Sequence, residues 1–162
     1  VPEERRMFAN LTVAENLHVP DISRSLLNRV GRSAETGKTG LSDEAVYEQF
    51  PRLDERRGQK AGTLSGGEQQ MLAIARALKQ DTDLLMLDEP SEGLAPQIVE
   101  DVVEALRAAS ADTTMVLVEQ NFRLAMDLAD RFYLVDHGVV VEEGETAGVT
   151  SEDERIRRYL TA

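Results

Sequence analysis

Four apolar residues in a row, Leu84-Leu85-Met86-Leu87, run directly into Asp88-Glu89-Pro90. A run this short, unbroken by polar residues and stopped by a proline, reads as a buried strand. It constrains the fold because the pattern then repeats. Pro96 opens a helix to about Ala109 with Ile98, Val99, Val102, Val103 and Leu106 on one face. Residues 115–118 read as a second apolar strand, 122–128 as a helix and 132–135 as a third strand. Strand, helix, strand, helix, strand over 84–136 predicts a parallel α/β sheet. Strands that are apolar throughout predict a sheet covered on both faces. His137-Gly138 turns into a fourth strand at 139–141, and a charged helix follows from Glu152 to Leu160.

The first 80 residues show no convincing strand. Thr12 and Glu15 have the spacing of a capping box for a helix beginning at 11–17, and 43–50 is a helix stopped by Pro51. Residues 31–40 form a polar, glycine-containing loop and 52–63 a charged one. From Ser65 a helix carries Met71, Leu72, Ile74, Ala75 and Leu78 at 3.6-residue spacing. The chain therefore divides into a helical layer, 1–79, and an α/β core, 80–162.

Composition removes several function classes. With no cysteine among 162 residues, disulfide scaffolds, thiol catalysis and Cys-ligated zinc are excluded. Thirty acidic residues against 18 basic give a net charge of −12, the wrong sign for a general nucleic-acid binder. The basic residues are 15 Arg and 3 Lys, and this acidic, lysine-poor balance predicts adaptation to high salt, where self-repulsion is screened. His18 and His137 have no companions at ligand spacing, and Arg56-Arg57 reads as a surface pair.

Two stretches carry chemistry. A strand ending in Asp88-Glu89 delivers two carboxylates to the carboxyl edge of a parallel sheet, where α/β proteins bind ligands. There Asp88 can hold Mg²⁺ on nucleotide phosphates and Glu89 can orient or deprotonate a water, against the plainer reading of an acidic turn. In Leu64-Ser65-Gly66-Gly67-Glu68-Gln69-Gln70, Ser65 and Glu68 form a capping box. Two glycines in the first turn cost about 1 kcal/mol each relative to alanine, so their exposed backbone at a positive helix end suggests a phosphate surface.

Together these motifs resemble the nucleotide-binding subunit of ATP-binding-cassette (ABC) transporters. LSGGEQQ at 64–70 resembles the family's signature motif, LLMLDEP at 84–90 its Walker B strand, and Ser91-Glu92-Gly93-Leu94 lies where its D-loop falls. VPEERRMFANLTVAENL at 1–17, FPRLDERR at 50–57, AGTLSGGEQQMLAIARAL at 61–78 and VEQN at 118–121 are similar to the branched-chain amino-acid importer type. The resemblance implies a partial P-loop NTPase fold of the ABC type, a helical subdomain on a parallel-sheet core without its N-terminal strands. On that division, 1–79 holds the Q-loop end, helical subdomain and signature helix. Residues 80–162 hold the Walker B, D-loop and switch regions and the C-terminal helix.

The implied roles follow residue by residue. Asp88 is the Mg²⁺-associated carboxylate and Glu89 the catalytic base. Leu64, Ser65, Gly66, Gly67 and Glu68 meet the ATP held by the opposite subunit, and Ser91 and Gly93 join that nucleotide-binding set. Glu3 falls where the Q-loop glutamine sits. Gln120 falls where most relatives carry the switch histidine; it can hydrogen-bond a γ-phosphate but cannot become cationic. The implied cofactors are ATP and Mg²⁺. The implied partners are a second ATPase subunit, a transmembrane permease and, indirectly, an extracytoplasmic substrate-binding protein, with the subunit peripheral on the cytoplasmic membrane face.

A phosphate loop needs GxxxxGK[ST] after a strand. The only candidate, Arg32-Ser33-Ala34-Glu35-Thr36-Gly37-Lys38-Thr39, has Arg32 in place of the first glycine and no strand before it. The sequence thus looks like the C-terminal two-thirds of an ATPase subunit, expected to turn over little ATP alone. Competing readings are a soluble ABC-type ATPase of DNA repair or translation, and a non-catalytic fragment that binds partners. The first would be favoured by coiled-coil insertions or basic extensions, and this sequence has neither.

Overall fold

The computed structural model describes residues 7–29, 41–80, 82–151, 153–154 and 156–157. Glu3 and the loop 31–39 lie outside them, as does part of the charged C-terminal stretch. The chain forms two compact units, Val1–Val116 and Leu117–Ala162.

The first unit is built on helices. Helix α1 (Val13–Arg29) starts at the expected box: the Thr12 amide donates to Glu15 Oε2 at 2.7 Å and the Glu15 amide to Thr12 Oγ1 at 3.2 Å. Helix α2 (Asp43–Gln49) is capped by the Ser42 hydroxyl. The charged stretch after Pro51 is more ordered than its composition predicts. It opens with a helical turn, α3 (Pro51–Asp54), and Ala61–Thr63 forms a 3₁₀ turn. Pro51 supplies a first-turn residue with no N–H to satisfy, and Leu53 and Phe50 are fully buried beneath it. Helix α4 (Gly66–Leu78) is the centre of this unit: Met71, Leu72, Ile74 and Ala75 are wholly buried, with Val13, Leu17 and Val46 also in the core.

Strand β1 (Leu84–Asp88) leads through a turn into α5 (Pro96–Ser110) and back into β2 (Thr114–Val118). The Thr114 amide donates to the Asp83 carbonyl at 3.2 Å, so the two paired strands start at the same edge and run parallel. Helix α5 buries Ile98, Val102 and Leu106 of the predicted face, with Val99 and Val103 only half-buried and Ala105, outside the predicted set, buried as well.

Two expectations about the sheet are corrected. Covered on both faces was the prediction for β1, yet its residues alternate: Leu85 and Leu87 are buried while Leu84 is 49% and Met86 62% exposed. One face of β1 is therefore buried and the other is largely solvent-exposed, as is Val116 of β2. The third predicted strand, β3 (Arg131–Asp136), was placed in the parallel sheet. Among the described strands it pairs instead with β4 (Val139–Glu145), antiparallel, from Arg131↔Glu145 to Asp136↔Val139. The β3–β4 pairing is the hairpin expected at His137-Gly138: the two residues take φ of 47° and 78°, the pair of left-handed residues that closes a tight turn. Helix α6 (Phe122–Leu128) of the second unit is capped by Asn121, whose Oδ1 accepts from the Leu124 amide.

Candidate functional site

The start of α4 is held from three sides. Ser65 is extended at φ −61°, ψ 159°, and its hydroxyl accepts from the Glu68 amide at 3.4 Å. In return the Ser65 amide donates to Glu68 Oε2 at 2.9 Å, completing the box. Glu68 Oε1 takes an ion pair from Arg56 Nε at 2.8 Å. Burial works to raise the Glu68 pKa, but the Ser65 bonds and the charges of Arg56 and Arg52 outweigh it and hold the carboxyl below its ordinary 4.5. Glu68 therefore stays charged at neutral pH, and both its oxygens are engaged in fixing the turn. The predicted surface placement fits Arg57, which is exposed over the Tyr47 ring at 3.9 Å. It fails for Arg56, which is half-buried on Glu68. Nothing in a 12-residue sequence separation announces that pair.

Leu64 is buried, and its carbonyl accepts from Gln69 Nε2 at 3.1 Å. Ser65 and Gly66 are exposed. Gly67 is not: a Cβ there would lie 2.5 Å from Ile98 Cδ1 and 3.6 Å from Leu94 Cδ2. Its lack of a side chain serves the approach of α5, correcting the expectation that both glycines expose backbone. A single methyl at 67 meets the movable end of Ile98, whereas a branched side chain has nowhere to go. Gly67→Ala is thus expected to change stability by less than about 1 kcal/mol, its packing loss offset by helix propensity. Gly67→Val is expected to cost about 2 kcal/mol in urea unfolding. A neutral Gly67→Val would contradict the packing.

Asp88 ends β1 and is exposed at its carboxyl edge; Glu89 follows, half-buried. Glu89 has φ 43°, a left-handed conformation that costs a non-glycine residue about 1 kcal/mol or more. It opens a turn closed by the Glu92 amide on the Glu89 carbonyl at 3.1 Å, with the Leu94 amide on Ser91 at 3.2 Å. Gly93, at φ 67°, is the residue type this backbone requires. Gln70 of α4 is buried, and its Nε2 donates to the Pro90 carbonyl at 3.4 Å. The first unit therefore brings together Leu64–Glu68 and Asp88–Gly93 through Gln70 on Pro90 and Gly67 against Leu94 and Ile98. Gln120 lies exposed between β2 and α6, in the second unit.

Comparison with solved structures defines the class. MJ1267, described as the ADP conformation of an ATP-binding cassette of an ABC transporter, aligns with TM-score 0.63 and 25% identity over 100% of this chain and 66% of its own. A dimeric post-hydrolysis form of the cassette MJ0796, bound to ADP and Pi, shares the fold at TM-score 0.68 and 22% identity, over 92% of this chain and 62% of its own. The fold is that of an ATP-binding cassette. The family model described as ABC transporter matches residues 1–92, more than half of the sequence, and the chain belongs to that family. Among curated relatives, the high-affinity branched-chain amino acid transport ATP-binding protein BraG of Pseudomonas aeruginosa is 42% identical over 161 residues, 99% of this chain and 65% of its own length. The probable branched-chain amino acid transport ATP-binding protein LivF of Archaeoglobus fulgidus is 36% identical, over 98% of this chain and 63% of its own. The chain spans just under two thirds of the length of both.

Proposed function

We propose that this chain is part of the ATP-binding and ATP-hydrolysing subunit of an ABC importer for branched-chain amino acids. The observation that carries the reading is that one compact unit holds a capped, glycine-rich helix start and a strand-edge carboxylate pair in fixed relation through Gln70 and Gly67. The substrate class rests on the printed names of BraG and LivF.

On this reading LSGGEQQ at 64–70 is the signature motif and LLMLDEP at 84–90 the Walker B strand. Ser65 offers its hydroxyl, and the first turn of α4 its free amides and positive dipole end, to the γ-phosphate of an ATP held by a second subunit. Leu64, Gly67 and Glu68 shape and hold that turn, with Ser91 and Gly93 in the adjoining loop. Glu89 orients and deprotonates the attacking water. An exposed carboxylate at a strand edge suits a hard cation kept mostly by water and phosphate oxygens, so Asp88 is the residue that would hold Mg²⁺, which would neutralise phosphate charge. Gln120 hydrogen-bonds phosphate without changing charge. Glu3 takes the Q-loop position. The functional division at 79/80, association with a permease on the cytoplasmic membrane face, an upstream binding protein and salt adaptation belong to the same reading. Among the described residues no helix is long and apolar enough to cross a membrane, so on this reading attachment comes through the permease.

The test is detergent extraction and affinity capture of a subunit of the relatives' full length carrying this sequence. A co-purifying integral membrane permease, with ATP hydrolysis accelerated by binding protein loaded with leucine, isoleucine or valine, is expected. A subunit that leaves the membrane alone, with hydrolysis indifferent to these amino acids, would overturn the importer reading in favour of a soluble ABC-type ATPase.

A further inference from the structure

Glu89 sits in a backbone conformation it does not favour, and something must hold it there. Its own turn supplies one bond, from the Glu92 amide to the Glu89 carbonyl. The next peptide group is anchored from outside: the Pro90 carbonyl accepts from Gln70 Nε2 at 3.4 Å. Gln70 is only 3% exposed, and its Oε1 has no hydrogen-bond partner among the described residues. A leucine or methionine would fill that space without burying an unsatisfied acceptor, which costs about 1–3 kcal/mol. The amide is therefore poorly explained as filler and well explained as a tie to Pro90.

We propose that Gln70 is a positioning residue that couples the first turn of α4 to the backbone of Glu89. Gln70 lies five residues beyond the Ser65 cap on the same helix, about 7.5 Å along its axis. A displacement of the Ser65–Gly67 turn carries Gln70 with it as part of one rigid element, and Gln70 reaches Pro90, the residue after Glu89. The bond is at the long end of the hydrogen-bond range and the second amide atom is unspent. Such a joint tightens or slips over a small displacement, and the backbone of Glu89, poised in a strained well, is held or released with it. The catalytic consequence rests on the proposed reading of Glu89 as the base; the mechanical link does not.

The two are separated by testing them on different material. In this 162-residue chain, backbone hydrogen exchange is followed by NMR at Glu92, whose amide closes the turn, with Ile74 in the buried middle of α4 as the control. Gln70→Met keeps length and volume but donates nothing. It is expected to speed exchange at Glu92 at least roughly tenfold while Ile74 is unchanged, a local opening rather than global loss. Because glycine accepts a positive φ freely, the same substitution made on Glu89→Gly is expected to change Glu92 exchange less than about twofold. Unchanged Glu92 exchange in Gln70→Met, or equal acceleration at Ile74, overturns the link. Where Gln70→Met does not fold, the unsubstituted chain decides. Side-chain amide protons of Gln70 slowed and in Overhauser contact with Pro90 support the tie, and freely exchanging ones refute it.

In the full-length subunit, Gln70→Met is expected to lower kcat for ATP about tenfold with KM unchanged. A normal kcat alongside loosened Glu92 exchange would overturn the catalytic half of the proposal. Absence of hydrolysis from the unsubstituted subunit would instead overturn the reading of Glu89.

Discussion

Glu89→Gln is expected to lower ATP hydrolysis by the assembled subunits by about 10²–10⁴-fold, the scale of a lost general base. The substitution is isosteric, so the turn from Glu89 to Glu92 keeps its bond to the Glu89 carbonyl, which is backbone. Asp88 is untouched, and with it the carboxylate proposed for Mg²⁺. What is removed is the anionic acceptor proposed for the water proton, and glutamine cannot replace it. Nucleotide affinity is therefore expected to stay within about threefold while kcat collapses, the signature of an interaction needed in the transition state rather than in binding. Steady-state kinetics beside a direct ATP-binding isotherm make the check. A kcat loss below about tenfold would move the base role elsewhere.

The second large effect is structural. Lys79→Met is expected to destabilise the chain by about 2–4 kcal/mol, lowering Tm by roughly 5–15 °C for a chain of this size. Lys79 caps the C-terminus of α4 and is only 2% exposed, yet it is a charged residue. Its Nζ donates to Asp21 Oδ2 of α1 at 2.9 Å and to Asp43 at the start of α2, so one ammonium ties three helices. It also lies at the negative end of α4, while Asp43 lies at the positive end of α2. Both carboxylates are partly exposed and regain water when the lysine is gone, which places the cost toward the low side of a broken buried pair.

Burial works to lower the Lys79 pKa, but the bonds and charges of Asp43 and Asp21 outweigh it and raise it above the ordinary 10.5. A folded-state pKa raised in this way gives stability that is fully present below the unfolded value and is lost as pH rises through the folded one. The gap in stability between the native chain and Lys79→Met should therefore be constant at neutral pH and shrink above about pH 10.5. Urea unfolding of both proteins across that range measures it. A gap that does not shrink would mean the substitution acts through packing alone.

Local rules made much of the fold legible. The Ser65–Glu68 spacing sets the start of α4, Pro96 that of α5, and His137-Gly138 the hairpin of β3 and β4. Each is a contact between near neighbours, written in residue order. What stayed hidden is long-range. Gly67 is small because of Ile98, Arg56 is half-buried because of Glu68, and Lys79 is buried because of carboxylates 58 and 36 residues earlier. Gln70 reads as one more polar helix residue until Pro90, 20 positions on, is placed beside it. The apolar run at 84–87 correctly gave a strand and a strand edge, but a run shows only that both faces suit cover. In the structure one face is buried, while Leu84 and Met86 on the other stay 49% and 62% exposed. The left-handed backbone at Glu89 has no sequence signature, since glutamate rarely adopts it.

The most direct test of the proposed function asks whether Ser65 serves the same nucleotide as Glu89 of its own chain or that of the opposite subunit. Differently tagged full-length subunits, purified as mixed dimers, carry Ser65→Arg and Glu89→Gln either together on one chain or apart on two. If each nucleotide is shared between subunits, placing both substitutions on one chain spoils both sites and abolishes hydrolysis. Placing them on opposite chains leaves one site intact, and hydrolysis survives. The reverse pattern, with activity kept when both changes share a chain and lost when they are apart, would contradict the composite site on which the account depends.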